Sequence, residues 1–279
     1  MVHKIWSATK GFALTALLTI VTVACLRIFL FASFSIPTPS MQPTILPGDH
    51  VLVNKLVPGP RMDWLFSSET GDTQGHRISG YKRIARGDVL VFNAPYHLSD
   101  KIARNWGVYF IKRCMGIPGD TLSIRDGSYW IANKVGAFEE QPPVDRWVDD
   151  WMEREKAGMF GTLNWTLTSF GPVYIPRRGD EIRLDSTNWL LYKSLIEYET
   201  GGKAQCSDYA CSLNGKPYTH HVFKQNYYFM AGDYARDSQD SRYWGLLPED
   251  HIVGKAAYIW RSTDPDTKKY RFDRFLKPL

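Results

Sequence analysis

Residues 11–36, GFALTALLTIVTVACLRIFLFASFSI, form an apolar run interrupted by one charge, Arg27. A backbone inside a bilayer must satisfy its own hydrogen bonds, and about 20 apolar residues in a helix cover the hydrocarbon thickness. The run therefore predicts one N-terminal transmembrane helix over 11–33, preceded by a short tail, residues 1–10. Arg27 lies well past the middle, where a long side chain reaches the interface. Lys4 and Lys10 precede the run, which places the tail in the cytoplasm and everything after the span outside. A cleaved signal sequence is the rival, since TVAC at 22–25 faintly resembles a lipoprotein site. Thr22 fits that pattern poorly, and the run is longer than a signal core.

Beyond the span the chain reads as strands and turns. It has 44% hydrophobic and 14% aromatic residues, enough to bury a core, and ten Trp and fifteen Tyr among sixteen Pro and twenty-two Gly favour a mainly β protein. The net charge of +5 is spread without a basic block, so nucleic-acid binding has no footprint. DHVLVNKL alternates, RGDVLVFNAP is turn, strand and stop, and the segment from Trp106 to Val135 offers three strands joined by Pro-Gly-Asp and Asp-Gly turns. Residues 134–216 are more charged and looped, with one short helix in STNWLLYKSLIEYETGG that Ser186 would cap and Gly201 would end. HVFKQNYYFMAGD and HIVGKAAYIWRS return to strand pattern. The expectation is an antiparallel β core, residues 34–133 and 217–279, with a mainly β extracytoplasmic insertion, residues 134–216. Cys25 belongs to the span and Cys114 reads as a small buried hydrophobe. Cys206 and Cys211 are near enough to close a disulfide in an oxidising compartment, whereas a metal would need further ligands nearby.

None of the seven histidines sits in a metalloprotease motif, and the phosphate-loop patterns are missing. What remains is a hydroxyl paired with a lysine. Such a lysine must be neutral to accept a proton, which requires desolvation or nearby cations. Lys112 in VYFIKRCMGIPGD lies between Phe110 and Cys114 on one face of a predicted strand, with Ile111 and Arg113 on the other. A lysine in an apolar strand is costly unless it has a partner, although an edge strand would let it reach solvent. Ser40, in SIPTPSMQPT, is by itself only part of a stiff elbow leaving the membrane. The run from Asp233 to Arg242 is by itself a charged loop.

Taken in order behind an N-terminal span, PSMQPT, RGDVLVF, FIKRCMGIPGD and GDYARDSQDSRYWGLLPEDHIVGK closely resemble bacterial type I signal peptidases, also called leader peptidases. The resemblance covers the anchor, residues 34–133 and 217–262. It implies a membrane-bound serine endopeptidase that removes signal peptides from exported preproteins, with small residues at −1 and −3 of the cleavage site. Ser40 would be the nucleophile and Lys112 the general base. Ser238 would hydrogen-bond and orient the lysine amine. Thr38, where the family usually has Ser, would join the Ser40 N–H in the oxyanion hole, with Pro39 replacing the usual Gly. Phe34, Ile36, Met41, Val91, Phe110 and Ile111 match substrate-pocket positions. Arg113, Asp233, Asp240 and Arg242 match bracing ion pairs. Where the family commonly has GDNR, this chain has Gly232, Asp233, Tyr234 and Ala235.

The resemblance implies no cofactor and no metal. Its partners would be signal-peptide-bearing preproteins, the lipid bilayer and the protein export machinery, and its place the bacterial inner membrane with the catalytic domain on the periplasmic face. Trp64, Leu65 and Phe66 would dip into the interface or anchor their own loop. Two other readings stay open: a dedicated peptidase for a conjugative pilin or similar precursor, and a membrane-tethered β domain without activity.

Overall fold

The computed structural model describes residues 2–62, 77–95, 101–105, 107–132, 136–141, 163–206 and 211–279, with side chains from residue 11 onward save 186 and 187. Trp64, Leu65 and Phe66 lie outside the described residues.

The apolar run is helical. Helix α1 spans Val2–Cys25 and continues as a π-helical turn, Leu26–Leu30. Gly11–Leu30 is long and apolar enough to cross a membrane, and none of it is buried inside the protein. The helical segment ends at Leu30 rather than at the expected residue 33. Residues 31–33 are instead taken up by strand β1, Phe31–Ser35, which pairs antiparallel with β2, Asp49–Asn54, in a register that sets Ser33 opposite Leu52. Lys55 fastens the junction: its N–H donates to the Leu30 carbonyl at 2.9 Å and its amine to the Arg27 carbonyl at 2.7 Å. Carbonyls at a helix C-terminus lack intrahelical partners, and a cation there meets both their hydrogen-bonding need and the helix dipole.

Strands β3 (Val89–Asn93), β4 (Tyr109–Gly116), β5 (Thr121–Arg125) and β6 (Ser128–Ala132) follow, then β7 (Phe138–Gln141), β8 (Phe170–Tyr174) and β9 (Glu181–Arg183). Helix α2, Ser186–Thr200, precedes the short strands β10 (Ala204–Cys206), β11 (Cys211–Leu213), β12 (Lys216–Pro217) and β13 (His220–Val222). The chain closes with β14 (Tyr227–Ala231), helix α3 (Ser241–Trp244), β15 (Leu247–Pro248), β16 (Ile252–Ser262) and β17 (Lys277–Pro278). One sheet runs β1-β2-β16-β3-β4-β14-β15, with β17 beside β16, and a second runs β7-β6-β5-β8. All recorded pairings are antiparallel, as the alternation predicts. The second sheet joins strands from both sides of residue 133, so the region expected as an insertion shares a sheet with β5 and β6.

Helix α2 forms where its sequence suggests, but its cap is Asp185, not Ser186. The N-cap is the residue before the first helical one, and the Asp185 carboxylate accepts from the Asn188 N–H at 2.8 Å. Gly201 ends the helix with φ +65°. Cys206 and Cys211 are joined by a disulfide and face each other in the β10–β11 register.

The core divides by the sheet's faces. Ile36, Met41, Val51, Val53, Val91, Ile111 and Ile259 fill one buried cluster, and Leu90, Phe92, Cys114, Tyr228, Met230 and Leu247 fill another. Residues 110 and 114 of β4 pack with the second cluster and 111 with the first, as period-two alternation requires. A third cluster joins the two sheets at Phe229, which is fully buried and meets Phe170 edge-on at 5.6 Å and Tyr129 at 6.3 Å. Phe229→Ala should therefore cost about 3–5 kcal/mol of stability, read as a lower urea midpoint.

Candidate active site

Ser40 sits on the excursion that joins β1 to β2. Its base is tied where the Ile36 N–H donates to the Asp49 carbonyl at 2.9 Å and the Gly48 N–H to the Ile36 carbonyl at 2.8 Å. Gly48 has φ +89°, and a Cβ there would lie 1.9 Å from the Thr263 carbonyl oxygen, so only glycine lets the excursion close against β16.

Lys112, on β4, reaches this turn. Its Nζ lies 2.6 Å from Ser40 Oγ, and both side chains are buried, at 5% and 6% exposure. Burial is the main reason the amine's pKa falls from its ordinary 10.5 to about 8. Arg242 pushes the same way, while Asp240, Asp237 and Asp233 pull it back up. At pH 7 about a tenth of molecules thus carry a neutral amine, whose lone pair could accept a hydroxyl proton. A serine hydroxyl against such an amine is equipped to attack a carbonyl.

The Ser40 backbone is pinned from several directions. Its carbonyl accepts from the Tyr234 N–H at 3.1 Å, and the Gln42 N–H donates to the Pro39 carbonyl at 2.8 Å. Among the described residues no acceptor takes the Ser40 N–H, which leaves it free to serve an oxyanion. Thr38 is exposed, and its hydroxyl is likewise unengaged. Thr44 is held on both sides. Arg113 Nη2 donates to its hydroxyl at 3.2 Å and Arg274 Nη2 to its carbonyl at 2.9 Å. Arg274 also pairs with buried Asp49 at 2.6 Å. Burial would raise the Asp49 carboxyl, but hydrogen bonds from Arg274, Ser262 and Leu46 outweigh it and hold the group below the usual carboxylate range.

Both expected ion pairs are present. Arg113 grips Asp233 through two bonds of 2.6 Å, and Arg242 grips Asp240 through two of 2.8 Å. Asp240 is wholly buried and also accepts from the Gly232 N–H at 3.0 Å and the Arg242 N–H at 3.2 Å. Burial opposes its charge, yet Arg242 and these donors keep its pKa below the usual value. Ser238 departs from expectation: its hydroxyl donates to Asp240 at 2.7 Å and makes no hydrogen bond to Lys112. A hydroxyl has one proton, and a buried carboxylate is the stronger acceptor. Of the expected pocket residues, Ile36, Met41, Val91 and Ile111 share one cluster with Phe34 packed against it. Phe110 stands apart from them, with its ring 6.0 Å from Lys112 Nζ.

Gly232 matches the first position of the family's GDNR, but sequence alone assigns it no task. A Cβ there would lie 2.2 Å from Ser238 Oγ and 2.6 Å from the Ser40 carbonyl oxygen, so its bare backbone is where the two serine-bearing segments meet. Nor did spacing mark Arg274, whose partners lie 225 and 230 residues away.

A buried serine hydroxyl 2.6 Å from a buried amine, on an antiparallel β framework, is an arrangement that suits a serine hydrolase. The chain belongs to the signal peptidase family, peptidase S26, whose family model matches residues 9–261. It is a serine peptidase of the family that removes signal peptides. A signal peptidase I of Haemophilus influenzae is 30% identical over 95% of this chain and 75% of its own length. One from Pseudomonas aeruginosa is 28% identical over 91% of this chain and 73% of its own. A signal peptidase I structure from Enterococcus faecalis V583 matches at 16% identity and a TM-score of 0.26, over 62% of this chain and 97% of that one.

Because the folded Lys112 pKa lies below its unfolded value, burial of this amine costs stability in full below pH 8 and the cost fades as pH rises through 10.5. Lys112→Met should accordingly gain roughly 2–3 kcal/mol at pH 7, and the gain should shrink towards pH 10.5 in denaturant titrations. Gly232→Ala forces the Ser40 carbonyl or Ser238 to move. Its precursor cleavage should fall by about 100-fold or more, since small misplacements cost that much, while far-ultraviolet circular dichroism stays native.

Proposed function

We propose that Ser40 is the nucleophile and Lys112 the general base of a membrane-anchored signal peptidase. The 2.6 Å contact between Ser40 Oγ and Lys112 Nζ carries this reading, because it joins a hydroxyl to an amine whose pKa burial has lowered to about 8. Neutral Lys112 takes the Ser40 proton as Oγ attacks the scissile carbonyl. The tetrahedral oxyanion is held by the Ser40 N–H and the Thr38 hydroxyl. Protonated Lys112 then gives its proton to the leaving amine, and the mature protein departs. The same lysine activates a water that hydrolyses the acyl-enzyme and frees the signal peptide. Ser238, bonded to Asp240, keeps lone pairs with which it can accept from the lysine amine once protonated.

The substrate is a preprotein with small residues at −1 and −3. Phe34, Ile36, Met41, Val91 and Ile111 form the apolar cluster beside Ser40 from which shallow pockets would be made, and Phe110 flanks the base. An extended substrate would lie as a strand beside the core. The span Gly11–Leu30 anchors the protein in the inner membrane, with Lys4 and Lys10 on the cytoplasmic side and the β domain outside. Nine residues separate Leu30 from Ser40, which keeps the nucleophile close to the bilayer face where a cleavage site emerges. Export machinery is the expected neighbour there.

Purified protein should cleave a signal-peptide-bearing precursor, and Ser40→Ala and Lys112→Ala should each abolish turnover. Thr38→Val should lose on the order of 3 kcal/mol of transition-state stabilisation and so retain measurable activity. For the wild type, kcat/KM should fall about tenfold per pH unit below 8 and level off above it. Turnover surviving in either dyad variant would rule the mechanism out.

A further inference from the structure

Away from Ser40 and Lys112, a cleft of about 850 Å3 opens between residues 77–84, the turn at Arg177 and Arg178, and the segment from Lys224 to Asn226. Its acidic groups are engaged within the protein. Glu199 accepts from the Tyr227 hydroxyl at 2.8 Å and the Lys224 N–H at 2.9 Å, and lies 3.0 Å from His221 Nε2. Glu249 accepts from Asn226 Nδ2 at 2.9 Å and from the Tyr228 hydroxyl at 3.2 Å. Asp250 accepts from Arg104 at 2.7 Å and the Tyr198 hydroxyl at 2.6 Å.

Of the cations lining it, Arg177 pairs with Asp180, Lys224 Nζ donates to the Glu199 carbonyl and Arg77 to the Gly59 carbonyl, but three others are not matched in this way. Lys82, Arg83 and Arg178 line the cleft and are exposed, and among the described residues their side chains make no hydrogen bond or ion pair. Negative charge is therefore compensated inside while positive charge faces the opening, and a concave wall concentrates that field. Two arginine forks and a lysine lining one cleft suit phosphate oxygens.

The rim also lies near the membrane end of the chain. The Tyr81 N–H donates to the Leu56 carbonyl at 3.2 Å and the Lys82 N–H to the Val57 carbonyl at 3.4 Å. The adjacent Lys55 is the residue fastened to the end of the span, through Arg27, Ile28 and Leu30. Lys82 and Arg83 are thus carried on a segment hydrogen-bonded directly after the junction, at the level where the span gives way to lipid headgroups.

We propose that this cleft binds a phosphate group, supplied by the headgroup of an anionic phospholipid at the bilayer face where the helix ends. The source rests on the membrane-anchor reading; the phosphate chemistry does not. Inorganic phosphate offers the same oxygens, so the two sources are separated by experiment.

Hydrogen exchange of the full chain would be followed by mass spectrometry in nanodiscs of phosphatidylglycerol or phosphatidylcholine, and in neutral detergent with inorganic phosphate titrated in. Phosphatidylglycerol, but not phosphatidylcholine, should slow exchange in residues 80–84, 177–179 and 224–226. The triple variant K82E/R83E/R178E should lose that protection, with about 100-fold weaker binding from three reversed charges. Protection by phosphate in detergent without any phosphatidylglycerol effect would overturn the lipid source and leave a free-phosphate site. No protection by either ligand, or equal protection in the triple variant, would overturn the site itself. Hydrolysis of a short soluble peptide in detergent should be unchanged in the triple variant, which checks its fold and keeps failure of the cleft distinct from failure of the Ser40 chemistry.

Discussion

The rest of the site depends on one costly placement, an amine taken out of water. Lys112 is buried on a strand of the large sheet, and its dehydration is what brings its pKa down to about 8. The bond to Ser40 Oγ at 2.6 Å gives that amine a partner which a solvated lysine would not need. Three carboxylates nearby would restore its charge if left alone. Two of them, Asp233 and Asp240, are instead paired tightly with Arg113 and Arg242. The ion pairs therefore do more than brace a loop, because they also limit the negative potential felt by the amine.

A serine on a long excursion needs its position fixed by something other than local propensity. Here three distant segments meet it. Tyr234 holds the Ser40 carbonyl, Arg113 the Thr44 hydroxyl and Arg274 the Thr44 carbonyl, and Arg274 is itself paired with Asp49 where the excursion ends. Arg113 follows Lys112 directly in the chain, so one strand supplies both the amine facing Ser40 and a clamp on the turn that carries it.

Much of this was legible in the residues. Alternation predicted the antiparallel strands, the short helix fell where its pattern suggested, and Cys206 and Cys211 met as their spacing allowed. What escaped depended on direction and contact. Ser238 stands near Asp240 in the chain, but only the folded loop shows that its single proton goes to that carboxylate. Phe110 shares a strand with Ile111, yet the pleat sends it to the opposite cluster. The second sheet draws strands from both sides of residue 133, a pairing that no local pattern encodes.

By itself the sequence determined the apolar helix, the mainly β character and the order of the motif boxes, because hydrophobic periodicity and turn chemistry are local properties. Tertiary structure alone decided that Lys112 is buried against Ser40, that Gly232 must be bare, and that Arg274 reaches back to Asp49 and Thr44. Desolvation, close approach and ion pairing are set by which distant segments pack together, and those distances do not exist until the chain has folded.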